Sequence, residues 1–260
     1  MFDFFKKKNK KPIVEKETVV EETDYTNVEP IAEYFKNETG VTFDNQINIL
    51  TNKVMTFCRQ REISSFSKLL RMVDEDAAIK QELIDYLTTN ETFFYREFRQ
   101  IAELVELVKS HGEAVDILCA PSATGEEPYS IAIALLEEGV LPSKIKIVGI
   151  DINSDALEKA REAVYKERNV RNLTDEIKEK YFDRDGDFYA LKNSVKSHVT
   201  FRLENLFDPS FVNIGKFDFI FSRNMFIYFD APTKIKAKNI LESMRKNQNQ
   251  EIFFGHADQI

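Results

Sequence analysis

Residues 115–138 read VDILCAPSATGEEPYSIAIALLEE, and this stretch decides the fold. Val115–Cys119 is a short apolar run of strand composition. It passes through a loop holding Pro121 and Gly125 into residues 129–138, whose apolar residues fit a helix. Strand, turn and helix in that order open one unit of a parallel sheet. Working outward, strand runs at 146–150, Val199–Leu203, 217–221 and 251–254 alternate with helical segments. One of these, 154–164, puts Ala156, Leu157, Ala160 and Val164 on a single face. The alternation predicts an α/β fold with a mainly parallel, doubly wound sheet. Right-handed crossovers then place the strand C-termini on one edge, where such sheets bind ligands.

Residues 166–198 interrupt the alternation. The run from Asp183 to Asp187 (DRDGD) predicts a turn between Tyr181-Phe182 and 188–191, and so a small inserted antiparallel β-subdomain over about 180–198. Before the sheet, the period changes. Ile47, Leu50, Val54 and Phe57 recur at helical spacing, as do Phe66, Leu69, Leu70 and Val73, followed by Leu83, Ile84 and Leu87. Residues 30–90 are therefore expected to form a small all-helical N-terminal domain, with Asp44 capping one helix. The sheet domain follows over 91–260. Residues 1–29 carry a lysine run, Lys6 to Lys11, and then an acidic stretch. They lack a periodic apolar face and are expected to be a disordered charged tail. Weak contact of Phe2, Phe4 and Phe5 with anionic lipid is the other reading of that tail.

Composition removes several classes of function. The 36 Lys and Arg against 44 Asp and Glu give a net charge of −8, and no long basic block is present, which argues against nucleic acid as a partner. Cys58 and Cys119 stand alone, and His111, His198 and His256 are scattered, so neither a disulfide framework nor a metal site is indicated. No apolar run approaches the ~18 residues that would cross a bilayer, and no secretory signal opens the chain. A cytoplasmic protein without an integral membrane segment is expected.

Polar residues gather where the strands end. The first loop has Gly125 in place of a full GxGxxG, and Glu126 and Glu127 stand where a pyrophosphate would lie. Carboxylates oppose a phosphate there. Acids in a helix's first turn beside Pro128 are also favoured by the helix dipole alone. The alternative is a ligand with an adenosine and a positive centre but no phosphates, such as S-adenosylmethionine. The second strand ends GIDIN, placing Asp151 where an acid accepts both ribose hydroxyls. Asn153 and Ser154 already serve as helix cap. In FDFIFSRNMFIYFD, Ser222, Arg223 and Asn224 emerge at the same edge, and the Tyr228 hydroxyl is expected in the cleft, with Phe226, Ile227 and Phe229 in the core. The segment from Thr88 to Arg96 has none of the Gly, Pro or Ser of a linker and is expected to cross the cleft.

Four motifs, TTNETFFYRE (88–97), ATGEEPYSIA (123–132), GIDINSDALEKAREAVY (149–165) and FDFIFSRNMFIYFD (217–230), together resemble the CheR chemotaxis-receptor methyltransferases. The ending FFGHADQI is similar to that family's GHSE-type strand. The likeness runs in order over about residues 30–260. It implies a helical N-terminal domain joined to a class I, Rossmann-like S-adenosylmethionine methyltransferase sheet with a β-subdomain insert. The implied activity is methyl ester formation on glutamate γ-carboxylates of chemotaxis receptor cytoplasmic helices, releasing S-adenosylhomocysteine. By the same resemblance Asn90, Thr92 and Arg96 reach the cofactor from the linking segment, Glu127 lies near its amino-acid portion, Asp151 at its ribose, and Asn205 and Leu206 at its adenine, with Gly125 of the first loop among the cofactor-binding residues. Arg223 and Asn224 close the site. Arg96 and Tyr228 are the expected catalytic pair, nearest the transferring methyl. Lys53, Arg59 and Arg61 are expected to form a basic face that reads the acidic receptor helix, and a monomer is expected.

The chain departs from the family at Pro121, at Lys246 to Gln250 (KNQNQ), which replace a KPGG-like turn, and at the acidic turn 183–187. That turn is shorter than in relatives that grip a receptor-tail pentapeptide, so tethering through such a peptide is not expected. A non-catalytic S-adenosylmethionine-binding scaffold remains the alternative reading, disfavoured by the presence of Arg96 and Tyr228.

Overall fold

In the structure, a computed structural model that describes residues 23–44 and 46–258, the helical periods become four packed helices. They are α1 (Glu29–Thr39), α2 (Ile47–Gln60), α3 (Phe66–Glu75) and α4 (Ala77–Leu87). Phe35, Leu50, Val54, Phe57, Leu69 and Leu83 interlock in one buried cluster. Burying each such side chain stabilises by about 1.5–3 kcal/mol. Ser65 caps α3 by accepting from the Lys68 N–H at 3.1 Å, and Asp76 caps α4 by accepting from Ala78 at 2.8 Å. Gln46, not Asp44, stands at the N-cap of α2 and makes no side-chain cap bond.

Of the expected tail, residues 1–22 lie outside the described residues. The remainder is packed. Asp24 exchanges backbone hydrogen bonds with the Ser64–Phe66 segment, the Tyr25 hydroxyl donates to the Ile63 carbonyl at 2.6 Å, and Val28 is buried.

After α5 (Phe98–His111), the alternating segments form β1 (Val115–Cys119), α6 (Glu126–Glu137), β2 (Ile145–Asp151) and α7 (Ser154–Glu162). An inserted unit follows: β3 (Val164–Lys166), α8 (Glu167–Val170), α9 (Asp175–Tyr181), β4 (Phe182–Asp185), β5 (Phe188–Leu191) and α10 (Asn193–Lys196). The chain returns through β6 (Val199–Leu203), β7 (Phe219–Ser222), α11 (Ala231–Ser243) and β8 (Phe253–Phe254). The main sheet runs β6-β2-β1-β7-β8 and is parallel throughout, with Ile117 paired to Ile147 on one side and Phe219 on the other. Apart from half-buried Asp116, β1 is buried on both faces, which explains its apolar reading.

The insert has three antiparallel strands, ordered β3-β5-β4, rather than a lone hairpin. The third strand comes from a residue expected on a buried helix face. Ala163 adopts φ 55° and ends α7, so Val164 enters β3 and is exposed. The turn is also tighter than the sequence suggests. Asp185 pairs with Phe188, which leaves only Gly186 and Asp187 in the turn and puts Asp183, Arg184 and Asp185 in β4. The last strands are shorter than expected because Phe217 is held instead by the Met244 and Lys246 backbone.

The helical layer sits over the C-terminal edge of the sheet. Asp85 of α4 accepts from the Ser154 N–H at 2.7 Å, Lys36 pairs with Asp230 at 2.7 Å, and the Thr42 N–H donates to the Tyr228 carbonyl at 2.9 Å. Among the described residues, no helix is long and apolar enough to cross a membrane.

Candidate active site

A cavity of about 820 Å³ lies between the helical layer and that sheet edge. Its size is that of a small-molecule site. The floor is made by strand tips, because a parallel sheet brings all of them to one side.

Asp151 ends β2 and is buried. Its Oδ2 accepts from the Ala123 N–H at 2.8 Å and its Oδ1 from the Asn153 N–H at 2.9 Å. Burial pushes its carboxyl up to about 6, against the pull of those backbone donors. Each oxygen keeps a lone pair for a further donor. Asn153, and not Asp151, caps α7, accepting from Ala156 at 2.7 Å, so Asp151 is spare for a ligand.

Glu127 lies in the first turn of α6. Arg223, at the tip of β7, donates from Nε to Glu127 Oε2. Burial raises the Glu127 carboxyl while the Arg223 charge lowers it. Its other oxygen, Oε1, is buried with no hydrogen-bond partner. The Arg223 side chain is almost fully buried, and its Nη1 donates to the Arg96 carbonyl at 3.0 Å and to the Glu97 carbonyl and Gln100 Oε1 at 3.4 Å. A buried cation with this many acceptors is a fixed strut.

The segment from Thr88 to Arg96 does cross the cleft: Asn90, Thr92 and Arg96 all line the cavity. Arg96 Nη2 donates to Asn224 Oδ1 at 3.0 Å and Nη1 to the Glu91 carbonyl at 3.2 Å. Tyr95, Glu97 and Asn224 all adopt positive φ, at 55°, 51° and 60°. Such backbone costs about 1–3 kcal/mol per residue and clusters at functional sites. Tyr228 lines the same cavity. Burial raises its hydroxyl pKa, opposed by Arg96.

Other expected residues fall differently. Leu206 and Asn205 line the cavity, but the Asn205 amide also bridges the two layers, donating to the Glu38 carbonyl at 2.6 Å. Gly125 does not line the cavity. It has φ 92°, and an added Cβ would lie 3.1 Å from Ala160, Phe201 and Tyr129, so it serves the turn and the packing beneath. Glu126 faces the insert, accepting from Thr124 at 2.6 Å and Asn169 at 2.8 Å. Lys53 lines the cavity, whereas Arg59 and Arg61 do not. Arg61 is paired with Glu82 at 2.6 Å and sits 3.8 Å over the Phe57 ring. Ile227, expected in the core, is exposed at the cavity mouth. Sequence reasoning missed Glu97 and Gln100, at the start of α5, and Asp258, beyond β8, which carried no signal but their polarity. Among the described residues, no cluster of His, Cys, Asp or Glu would hold a metal ion.

Residues 90–260 match the family described as CheR methyltransferase, SAM binding domain. A chemotaxis protein methyltransferase of Campylobacter jejuni is 34% identical over 225 residues, covering 85% of this chain and 84% of that protein. The chain belongs to the CheR methyltransferase family. Further relatives are a chemotaxis protein methyltransferase 2 of Vibrio cholerae, 33% identical over 257 residues (93% of this chain, 87% of that protein), and the Escherichia coli chemotaxis protein methyltransferase, 28% identical over 236 residues (88% and 82%). The chain is thus an S-adenosylmethionine-dependent methyltransferase on a class I fold. Its cavity suits that cofactor. The open, buried Glu127 Oε1 calls for a donor such as an ammonium and opposes a phosphate, and the Asp151 carboxylate suits ribose hydroxyls.

Proposed function

We propose that this enzyme methylates glutamate γ-carboxylates on the cytoplasmic helices of chemotaxis receptors, acting as a monomer in the cytoplasm. The observation that carries this reading is the placement of Arg96 and Tyr228 on the same cavity as Glu127 and Asp151. Glu127 and Asp151 suit the cofactor's amino-acid and ribose groups, and Arg96 and Tyr228 offer a guanidinium and a phenol to an anionic acceptor.

Glu127, fixed by Arg223, would take the cofactor's α-ammonium, Asp151 the ribose hydroxyls, and Leu206 one face of the adenine. Bound there, S-adenosylmethionine supplies a methyl on a sulfonium that becomes neutral as the methyl leaves. A glutamate acceptor is ionised at neutral pH, so no general base is required. The protein's contribution is alignment and exclusion of water, which can supply ~7–11 kcal/mol. Arg96 already donates to Asn224 and Glu91, which restrains the side chain and leaves it a moderate hold on the acceptor. That suits catalysis, since a carboxylate bound too tightly loses nucleophilicity. Tyr228 would supply the second contact.

Lys53, which lines the cavity, supports recognition of an acidic receptor helix, with the exposed Ile227 of the same lining as an apolar contact. The acidic strand β4, with Asp183 and Asp185 exposed before a two-residue turn, favours recognition without a receptor-tail pentapeptide, whose terminal carboxylate it would repel. Titration with receptor C-terminal pentapeptides tests this point. Micromolar binding, or a large drop in methylation on tail deletion, would contradict it.

A further inference from the structure

Asn224 holds φ 60° directly beyond β7. A non-glycine residue keeps that backbone only where its surroundings over-determine it. The constraint comes from the far end of the chain. Asp258, four residues past β8, is buried, and its carboxylate collects backbone donors from the tips of both strands. Oδ2 accepts from the Asn224 N–H and from the Gly255 N–H at 3.0 Å, and Oδ1 accepts from the Phe226 N–H at 2.9 Å. Gly255 makes the approach possible, since an added Cβ would lie 2.9 Å from Asp258 Oδ2 and 3.0 Å from the Asn224 nitrogen. One side chain therefore stitches the tips of β7 and β8 together. From that tip Asn224 Oδ1 accepts the Arg96 hydrogen bond, and Tyr228 follows four residues later.

We propose that Asp258 is a positioning residue for methyl transfer, fixing the strand tip from which Asn224 orients Arg96. Asp258 does not line the cavity, so it acts only through these residues. A carboxylate suits the task because both of its oxygens only accept, whereas an amide would turn its NH₂ toward one set of the N–H donors. Burial raises the Asp258 carboxyl, and the backbone N–H groups of Asn224, Gly255, Phe226 and Ile227 oppose that rise. The inference rests on the roles proposed above for Arg96 and Asn224.

The test uses full-length Asp258→Asn, Asn224→Ala and the double variant, with S-adenosylhomocysteine affinity measured by calorimetry and kcat and KM measured on a receptor cytoplasmic fragment. Misplacing Arg96 is expected to lower kcat at least about tenfold in Asp258→Asn. Its S-adenosylhomocysteine affinity should change by less than about threefold, and adding Asp258→Asn to Asn224→Ala should cost less than about threefold more, because the two act in series. A kcat near that of the wild type, an equal loss in both backgrounds, or a loss of cofactor affinity matching the loss of kcat would overturn the inference. If Asp258→Asn does not fold, Gly255→Ala, whose methyl parts the same two tips, takes its place under the same criteria. Asn224→Ala alone separates the two levels. A normal kcat in that variant removes the site reading itself, whereas a lowered kcat there with a normal Asp258→Asn removes only the role of Asp258.

Discussion

Arg223 donates through Nε to one oxygen of Glu127 and leaves the other, Oε1, buried without a protein partner. Neither group is arranged for stability alone. Burying an ion pair gains little unless every remaining lone pair is satisfied, and one is not. The open oxygen is the acceptor we propose for the cofactor's ammonium.

Glu127→Gln should therefore weaken S-adenosylhomocysteine binding by about 10–100-fold, as expected when a charge-assisted hydrogen bond worth roughly 1.5–3 kcal/mol is lost. It should also lower the melting temperature, because the Arg223 cation stays buried with its partner neutralised. Calorimetry and a thermal melt check both effects. Unchanged affinity would mean that the ammonium binds elsewhere.

Asp151 gives a pH dependence. Its carboxyl is raised from 3.8 to about 6 without ligand. A raised folded-state value means that the protonated acid favours the folded protein: this stabilisation is complete below about pH 3.8 and is lost as pH rises through about 6. Ribose hydroxyls need the ionised acceptor, so cofactor binding has the opposite trend. Affinity for S-adenosylhomocysteine should fall as pH drops below about 6, with protons released on binding in that range. Asp151→Asn should bind weakly at every pH and flatten the profile. Calorimetry in buffers of different ionisation heat measures the proton release, and its absence would place the ribose elsewhere.

Much of this site was legible in the sequence because its parts are polar residues at the ends of apolar strands. Asp151 after VGI and Arg223-Asn224 after FDFIF could only emerge at the ligand edge of a parallel sheet. Asn153 as cap freed Asp151 in sequence and in structure alike. The illegible parts depend on contacts between distant segments. Arg223 reaches Gln100, Asp258 reaches Asn224, and Asn205 reaches Glu38, and no local period encodes such pairs. Val164 was misread for a different reason. It continued the helical row of Ala156, Leu157 and Ala160, and only the left-handed turn at Ala163 moved it onto a strand. Of the basic trio, Lys53 lines the cavity, whereas Arg59 on α2 and Arg61 at its C-terminal end do not, a difference that residue type alone does not encode.

That last point separates two charge reversals. Lys53→Glu should raise KM for the receptor fragment, most at low salt, with cofactor affinity unchanged, because opposite charge steers encounter. Arg61→Glu should chiefly remove the pair with Glu82, an exposed contact worth about 0–1 kcal/mol. Steady-state kinetics at two ionic strengths distinguishes them, and equal KM values for Lys53→Glu and the wild type would remove Lys53 from recognition.

Tyr228→Phe should leave S-adenosylhomocysteine affinity nearly intact and lower turnover, since the ring still packs and only the hydroxyl is lost. A collapse of binding with normal turnover per bound cofactor would put Tyr228 on the cofactor side of the cavity.

The most direct measurement is incubation of the enzyme with S-adenosylmethionine labelled in its methyl group and a receptor cytoplasmic fragment, followed by mild alkali and mapping of the modified residues. The account predicts label on glutamate side chains, released by alkali as methanol because methyl esters hydrolyse there, and label strongly reduced with Arg96→Ala. Alkali-stable label, label on another residue type, or undiminished transfer by Arg96→Ala would contradict it.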